Sequence, residues 1–420
     1  MLSDLETKGG ASIAAARLAK AMCRAGHRVT RLVATNDGRD HPWYTCVLKP
    51  PLPLMRRVVR RLFTAGGREK WDRLAAPSIH LRLERLLDDL RPDVINVHNL
   101  HGAIKFGWSA DLVRICAERA PTVWTLHDMW SFTGRCAYGY DCRMFLTGCD
   151  ASCPTPKEYP ALTPKRIAGA WEQRRRLLTS YYPLAAVTPS RWLAQEAQAG
   201  LWARHHVEVI PYGLPLDVYK PIERPLARKS LGIEGPGPIL LTASQNLAER
   251  RKGGKLLIEA FKRLSRRPLT LVTLGGGRLR VKVKGVQVHP LGYLSDESIN
   301  VLAFNAADIF LHPAPVDNLP NVVMEAIACG TPAVGFSIGG MCELVRHKQT
   351  GWLAGEVSPE SFAGAIETAI DDQKHGIDLR GSCRAVAENE YGADLQAQRY
   401  LKLFNLLNGD SGKKASQSFS

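Results

Sequence analysis

Asp308-Ile309-Phe310-Leu311-His312-Pro313 is followed by Asp317-Asn318-Leu319-Pro320-Asn321-Val322-Val323-Met324-Glu325-Ala326-Ile327-Ala328-Cys329-Gly330-Thr331-Pro332, and then by Ala333-Val334-Gly335-Phe336. The outer runs are short, apolar and rich in branched or aromatic residues, as buried strands are. The middle run carries its apolar residues at helical spacing. Pro320 suits a first helical turn, where its missing N–H costs nothing. Strand, helix and strand in this order make a βαβ unit, which places the two strands parallel in one sheet.

The same alternation extends in both directions. Val29–Thr35, Val94–His98, Thr122–Leu126 and Ala185–Thr188 read as strands, with helical patterns at Ser12–Ala25, Ile79–Leu90 and Ser109–Arg119 between them. After Val207–Pro211 the series restarts with Ile239–Ala243, Leu269–Leu274 and Val286–Pro290, ahead of the opening unit. Two such series read as two doubly wound Rossmann-like α/β domains, joined through the Pro- and Gly-rich stretch Tyr212–Gly237. The expected division is residues 1–206, residues 207–390, a helix over 391–408 packing back on the first domain, and a disordered polar tail over 409–420. Met1–Leu5 is a poor strand ahead of Lys8-Gly9-Gly10. The first strand is therefore expected to be very short, or the native start to lie upstream of this chain.

Lys plus Arg number 56 against 40 for Asp plus Glu, a net charge of +16, which points to an anionic partner. With 45% hydrophobic and 23% charged residues the chain is ordinary globular material, and a mainly disordered or fibrous protein is excluded. No apolar run approaches the ~18–20 residues that span a bilayer, and Met1–Gly10 lacks the apolar segment of a signal peptide. A cytoplasmic location is the expectation.

Several motifs sit where strands end, the edge at which open α/β sheets bind ligands. Gly9-Gly10 opens a helix, letting backbone approach an anion closely. His98, Asn99 and His101 end one strand, and His127-Asp128 end the next. Arg250-Arg251-Lys252 lies between a strand and a helix, where three cations can neutralise a diphosphate. In the opening stretch, the amides of Asn318, Leu319 and Asn321 are expected to face outward as an anion site. Asp317 and Glu325 are separated by a rise of about 11 Å, which suits hydroxyls at two ends of an elongated ligand such as a sugar nucleotide. A carboxylate in a mostly apolar helix is costly unless it is met by a partner; a ligand or an internal Arg would each satisfy Glu325.

These motifs resemble the family 4 retaining glycosyltransferases of the GT-B fold, in particular the bacterial exopolysaccharide and colanic-acid-type branch. The resemblance rests on Gly9-Gly10, on Val97-His98-Asn99-Leu100-His101-Gly102, on Trp124-Thr125-Leu126-His127-Asp128-Met129-Trp130, on the Arg-Arg-Lys-Gly turn, on Asp317–Glu325, and on Gly339-Gly340-Met341-Cys342-Glu343-Leu344-Val345. It implies two domains facing across a cleft, the first on the acceptor side and the second on the donor side. By resemblance, Glu325 holds the ribose of a nucleotide sugar (UDP- or GDP-linked), Asp317 lies by the donor sugar, and Lys252 with Arg250 or Arg251 binds the diphosphate. His127 lines the donor sugar, and Gly9 and Gly10 approach the phosphates. Asn318 and Leu319 belong to the same donor loop. This chain departs from the family pattern at Asp317, where a Glu is usual, and at Asn246, where an Arg is common. The implied reaction is hexosyl transfer with retention to a growing, lipid-linked surface polysaccharide. No Asp-x-Asp signature of the metal-dependent kind is present, so no cofactor is expected for catalysis.

Two signals stand apart from the strand ends. Cys136, Cys142, Cys149 and Cys153 fall within one loop and could bind a structural zinc ion or pack as reduced thiols. Leu54-Met55-Arg56-Arg57-Val58-Val59-Arg60-Arg61-Leu62-Phe63 sorts on a helix into an apolar half and a wholly arginine half. That pattern suits the anionic surface of a membrane, giving an expected peripheral position on its inner face. The competing enzymatic readings are a GT-B-type epimerase or phosphorylase. A nucleic-acid-binding protein is favoured by charge alone and has no recognition motif behind it.

Overall fold

The computed structural model describes residues 1–50, 65–246, 249–277, 279, 281–293 and 296–417, leaving aside the side chains of 65–74 and 410–417. The arginine-rich stretch Leu54–Phe63 lies outside the described residues. The chain divides into one unit of Met1–Ile210 with Gln396–Ser420 and a second of Pro211–Leu395.

In the first unit, β1 (Leu2–Leu5), β2 (Thr30–Thr35), β3 (Tyr44–Val47), β4 (Ile95–Val97), β5 (Thr122–Thr125), β6 (Leu184–Thr188) and β7 (Val207–Val209) form one sheet in the order β3-β2-β1-β4-β5-β6-β7. Every pairing is parallel. Met1–Leu5, the poor strand of the sequence, thus forms the short central strand, with Leu2 opposite Leu32 on one side and Val97 on the other. Its polar residues act as joints. The Asp4 carboxylate accepts from the Gly102 amide at 3.0 Å, tying β1 to the loop after β4. A Cβ on Gly102 would fall 2.3 Å from that carboxylate, so a side chain there would displace the Asp4 carboxylate from this amide.

The aromatic core of this unit includes Trp124, whose ring centroid lies 5.9 Å from Trp202 and 6.3 Å from Trp130. Each such side chain withdraws a large apolar area from water. The last helix runs Ala393–Gln417, into the residues read as a polar tail. Fully buried Tyr400 shares a 2.9 Å hydrogen bond with Thr125 of β5.

In the second unit, β8 (Ile239–Asn246), β9 (Leu269–Gly276), β10 (Val286–Gly292), β11 (Ile309–His312), β12 (Ala333–Phe336) and β13 (Gly351–Ala354) run in the order β10-β9-β8-β11-β12-β13, again all parallel. In both sheets the chain starts centrally, steps outward, then returns to the other side of its first strand. The reversal falls between β1 and β4 in one unit and between β8 and β11 in the other. At such a point the loops after two adjacent strands part in opposite directions, leaving a crevice at the carboxyl edge.

Candidate active site

In the second unit the crevice residues come from the ends of β8 and β11. The cationic turn Arg250–Lys252 closes on Gly253, whose φ of +73° is left-handed. A Cβ there would lie 1.8 Å from the Pro313 carbonyl oxygen, so the turn rests directly on the backbone leaving β11. This places Lys252 Nζ 3.2 Å from Asp317 Oδ2. His312 Nε2 lies 3.3 Å from the same oxygen. Burial pushes the Asp317 carboxyl up, but the Lys252 charge, the His312 imidazole and Arg251 outweigh that and hold it well below the usual carboxylate range. Burial, partly opposed by Asp317, lowers His312, so its ring is neutral at pH 7. In the sequence His312 is only a polar residue closing an apolar strand, with nothing to mark it as part of a site.

One expectation is corrected here. The Asn318 amide, expected to face outward, donates to Asp317 Oδ1 at 3.0 Å, because an Asp side chain readily reaches the following amide. Asp317 thereby has both oxygens engaged, and both Asn318 and Leu319 are buried. The helix Asn321–Ala328 begins after Pro320, and Glu325 is buried in its apolar middle.

In the first unit, Gly9 has φ +93°, and a Cβ added to it would meet nothing within 4 Å, so its backbone angle rather than space requires glycine. It precedes the helix Gly10–Arg24, whose first turn holds no acidic residue. At the ends of β4 and β5 an imidazole pair and an imidazole–carboxylate pair lie side by side. His98 Nδ1 is 3.0 Å from His127 Nε2, and burial holds both rings neutral, lowering His127 to about 4. His101 Nε2 instead meets Asp128 Oδ2 at 2.8 Å, while its Nδ1 lies 3.1 Å from the Tyr159 hydroxyl. Burial disfavours charge on His101, but Asp128 and Asp4 prevail over it and over opposing Arg174, and the imidazole is raised. Asp128 is fixed further by the Trp130 amide at 2.9 Å. Tyr159 was missed because its partner His101 is far away in the chain.

The His101–Asp128 pair carries a pH signature. A raised imidazole stabilises the fold fully below its unfolded value of about 6.5 and ceases to do so as pH rises through its folded value. Charged hydrogen bonds contribute about 1.5–3 kcal/mol. Asp128→Asn should therefore lower the melting temperature by about 5 °C at pH 6, and the gap should narrow by pH 9. Melting curves at the two pH values check this; a constant gap would mean the pair is held by packing rather than charge.

The four cysteines are free and partly buried. Among the described residues, the only group of three or more metal-binding side chains with ligand atoms within 4.8 Å of one another is Glu6, Asp37 and His41. A polar groove of about 510 Å³, lined by Arg114, Glu172, Gln173 and Arg176 among others, contains none of the strand-end residues. Its charges close on each other, as in Arg114 to Glu118 at 2.6 Å and Arg176 to Glu172 at 2.9 Å.

Residues 8–218 match the family model for Glycosyltransferase Family 4, and residues 237–372 match that for Glycosyl transferases group 1. The chain is 30% identical over 224 residues to a D-inositol 3-phosphate glycosyltransferase of Rhodococcus erythropolis, a match covering 49% of this chain and 50% of that protein. It is 27% identical over 254 residues to the putative colanic acid biosynthesis glycosyl transferase WcaC of Escherichia coli, covering 58% and 59%. The chain thus spans between half and three fifths of these relatives' length. Among solved structures it is similar to sucrose-phosphate synthase from Thermosynechococcus elongatus, with TM-score 0.73 and 17% identity over 97% of this chain and 98% of that one. It is also similar to Anabaena HepE in complex with UDP-glucose, with TM-score 0.66 and 17% identity over 96% and 98%. These likenesses show the fold, which is GT-B with two Rossmann-like parallel-sheet domains.

Proposed function

The chain belongs to glycosyltransferase family 4, and from that premise we propose that it moves a sugar from a nucleotide-sugar donor to a saccharide hydroxyl. The observation that carries this reading is Lys252, fixed 3.2 Å from a buried carboxylate at the switch point of the second sheet. A cation anchored in that way meets a departing diphosphate without reorganising, which is how preorganised charge lowers a barrier. HepE is a GT-B-fold neighbour that binds UDP-glucose, which supports a nucleotide-sugar donor for this chain.

In the reaction, the bond from the anomeric carbon to the diphosphate oxygen breaks and one to the acceptor oxygen forms. The acceptor proton passes to the leaving diphosphate on the same face, giving retention. Lys252, with Arg250 and Arg251, takes the developing negative charge; Glu325 accepts from the ribose hydroxyls. Asp317 acts as the group that positions Lys252, since its oxygens are already engaged. In the first unit, the opening of the Gly10–Arg24 helix offers amides to phosphate. His127, a neutral ring held by His98, offers a hydrogen bond to the sugar. The charge available from these side chains serves in place of a metal. The acceptor in this reading is a lipid-linked surface saccharide, with Leu54–Phe63 on the anionic inner face of the membrane. No helix among the described residues is long and apolar enough to cross a membrane.

The test is a titration with UDP and GDP, followed by mass spectrometry of mixtures of nucleotide sugars with lipid-linked saccharides and with inositol 3-phosphate. Saturable nucleotide binding and a mass gain of one hexose on an acceptor are expected. Interconversion of the nucleotide sugar with no transfer would instead make the protein an epimerase.

A further inference from the structure

The chain from Phe132 to Arg166 holds only two short 3-10 turns, Met144–Leu146 and Pro164–Arg166, so something other than regular structure must fix it. It carries Cys136, Cys142, Cys149 and Cys153. Cys149 is packed back against Gly134, where a Cβ would come within 2.6 Å of the Cys149 Cβ, and this returns it close to Cys136. Cys136 and Cys149 each lie within electrostatic reach of the other three thiols.

Arg174 is the second observation. Its side chain is 3% exposed, with its guanidinium 4.0 Å above the Trp130 ring. Nη1 donates to the carbonyls of Ala170 at 2.6 Å and Gly134 at 3.4 Å, while the buried Nε has no partner. No carboxylate lies at ion-pair distance from it among the described residues. The acid groups acting on it are first the thiols of Cys136 and Cys149 and then Asp128, which already serves His101 and the Trp130 amide. A buried cation needs a counter-charge, and neutral thiols supply none.

We propose that Cys136, Cys142, Cys149 and Cys153 bind one structural zinc ion, and that the resulting tetrathiolate is the counter-charge of Arg174. Each thiol gives its proton to solvent and forms one Zn–S bond, with no change of oxidation state. Four thiolates around a divalent ion leave a net double negative charge beside the guanidinium, which acts as an outer partner of the site. Tetrahedral Zn–S bonds of about 2.3 Å set the sulfurs about 3.8 Å apart. No three of these sulfurs lie within 4.8 Å of one another, so metal binding draws the loop together. The site reaches the strand ends twice: Trp130 follows Asp128 in sequence, and Tyr159, bonded to His101, lies on the same loop beyond Cys153.

The experiment uses the full chain purified without chelator. Elemental analysis should find about one zinc per chain, and cobalt substitution should give thiolate-to-metal absorption with tetrahedral bands. Mass spectrometry after brief alkylation should find the four thiols protected with zinc and labelled after chelation. Cys149→Ser should lose the metal. Arg174→Met, which keeps an apolar contact to Trp130, should stay folded by circular dichroism but surrender zinc to a competing chelator at least tenfold more readily. His41→Ala, which disrupts the Glu6–Asp37–His41 group, should retain the metal. Zinc that is absent at micromolar supply, that persists in Cys149→Ser, or that leaves with His41→Ala overturns the proposal.

Discussion

Lys252→Met should lower turnover by about 10²–10³-fold, the usual loss when one preorganised charge facing a developing anion is removed. The same substitution should destabilise the fold by about 2 kcal/mol, somewhat below the range for breaking a fully buried pair, because the Lys252 side chain is 21% exposed. The penalty has a pH dependence with a definite sign. Asp317 is held below its ordinary range in the fold, so its ionised form contributes stability above about pH 3.9 and loses it as pH falls through the folded value. Without Lys252 the carboxylate loses the largest influence that opposes burial, and it takes up a proton at higher pH than in the parent. The gap in melting temperature should therefore be widest near pH 7 and narrow towards pH 4. Adding Asp317→Asn should restore much of the stability and none of the turnover, which separates the structural role of the pair from the catalytic role of the cation. Nucleoside diphosphate release and melting curves measure the two. A double variant that regains turnover would show that Lys252 only holds Asp317 in place.

That pair also shows how much of the site was legible in the sequence. Lys252 and Asp317 are each recognisable, one in a cationic turn and one ahead of a helix that begins after proline. Their meeting is set by strand register, which places Ile309 beside Leu240 and Leu311 beside Thr242 and so brings the ends of β8 and β11 together. No local pattern encodes that register. The alternation of strands and helices was legible because parallel strands buried on both faces are continuous apolar runs. It left β1 open between a very short strand and a missing one, and it missed β3 and β13, for separate reasons. β1 carries Ser3 and Asp4, whose polar side chains accept from Arg31 of β2 and from the Gly102 amide after β4. β3 is an edge strand with Tyr44 exposed. β13 is the short strand at the other edge of its sheet, and it begins on a glycine. Likewise, the histidines after β4 and β5 were visible as a group. Their sorting into a neutral pair and a carboxylate-bound ring depends on Asp128 and Asp4, which arrive from different strands.

Glu325→Gln should weaken UDP or GDP binding by about 10–100-fold while leaving the melting temperature unchanged or slightly higher. The substitution keeps side-chain volume and removes a charge from the helix Asn321–Ala328, where Val323 to Ala328 are all buried. A carboxylate in that setting is retained only if something accepts it. The cations around the end of this helix are Arg380 and Arg384. Both have several partners: Arg380 donates to the Ile222 carbonyl at 2.5 Å, and Arg384 to the carbonyls of Tyr219 at 2.7 Å, Leu216 at 3.2 Å and Ala328, at the end of this helix, at 3.2 Å, and to Glu388 at 2.7 Å. Each charged hydrogen bond to a ribose hydroxyl contributes about 1.5–3 kcal/mol, which is the origin of the expected fold-change. If Glu325 instead neutralised one of these arginines, removing its charge would strand a half-buried cation. The melting temperature would then drop by several degrees, with nucleotide affinity intact. Calorimetric titration beside a thermal melt of the same sample distinguishes the two outcomes, because the ribose role and the internal-pair role move opposite readouts.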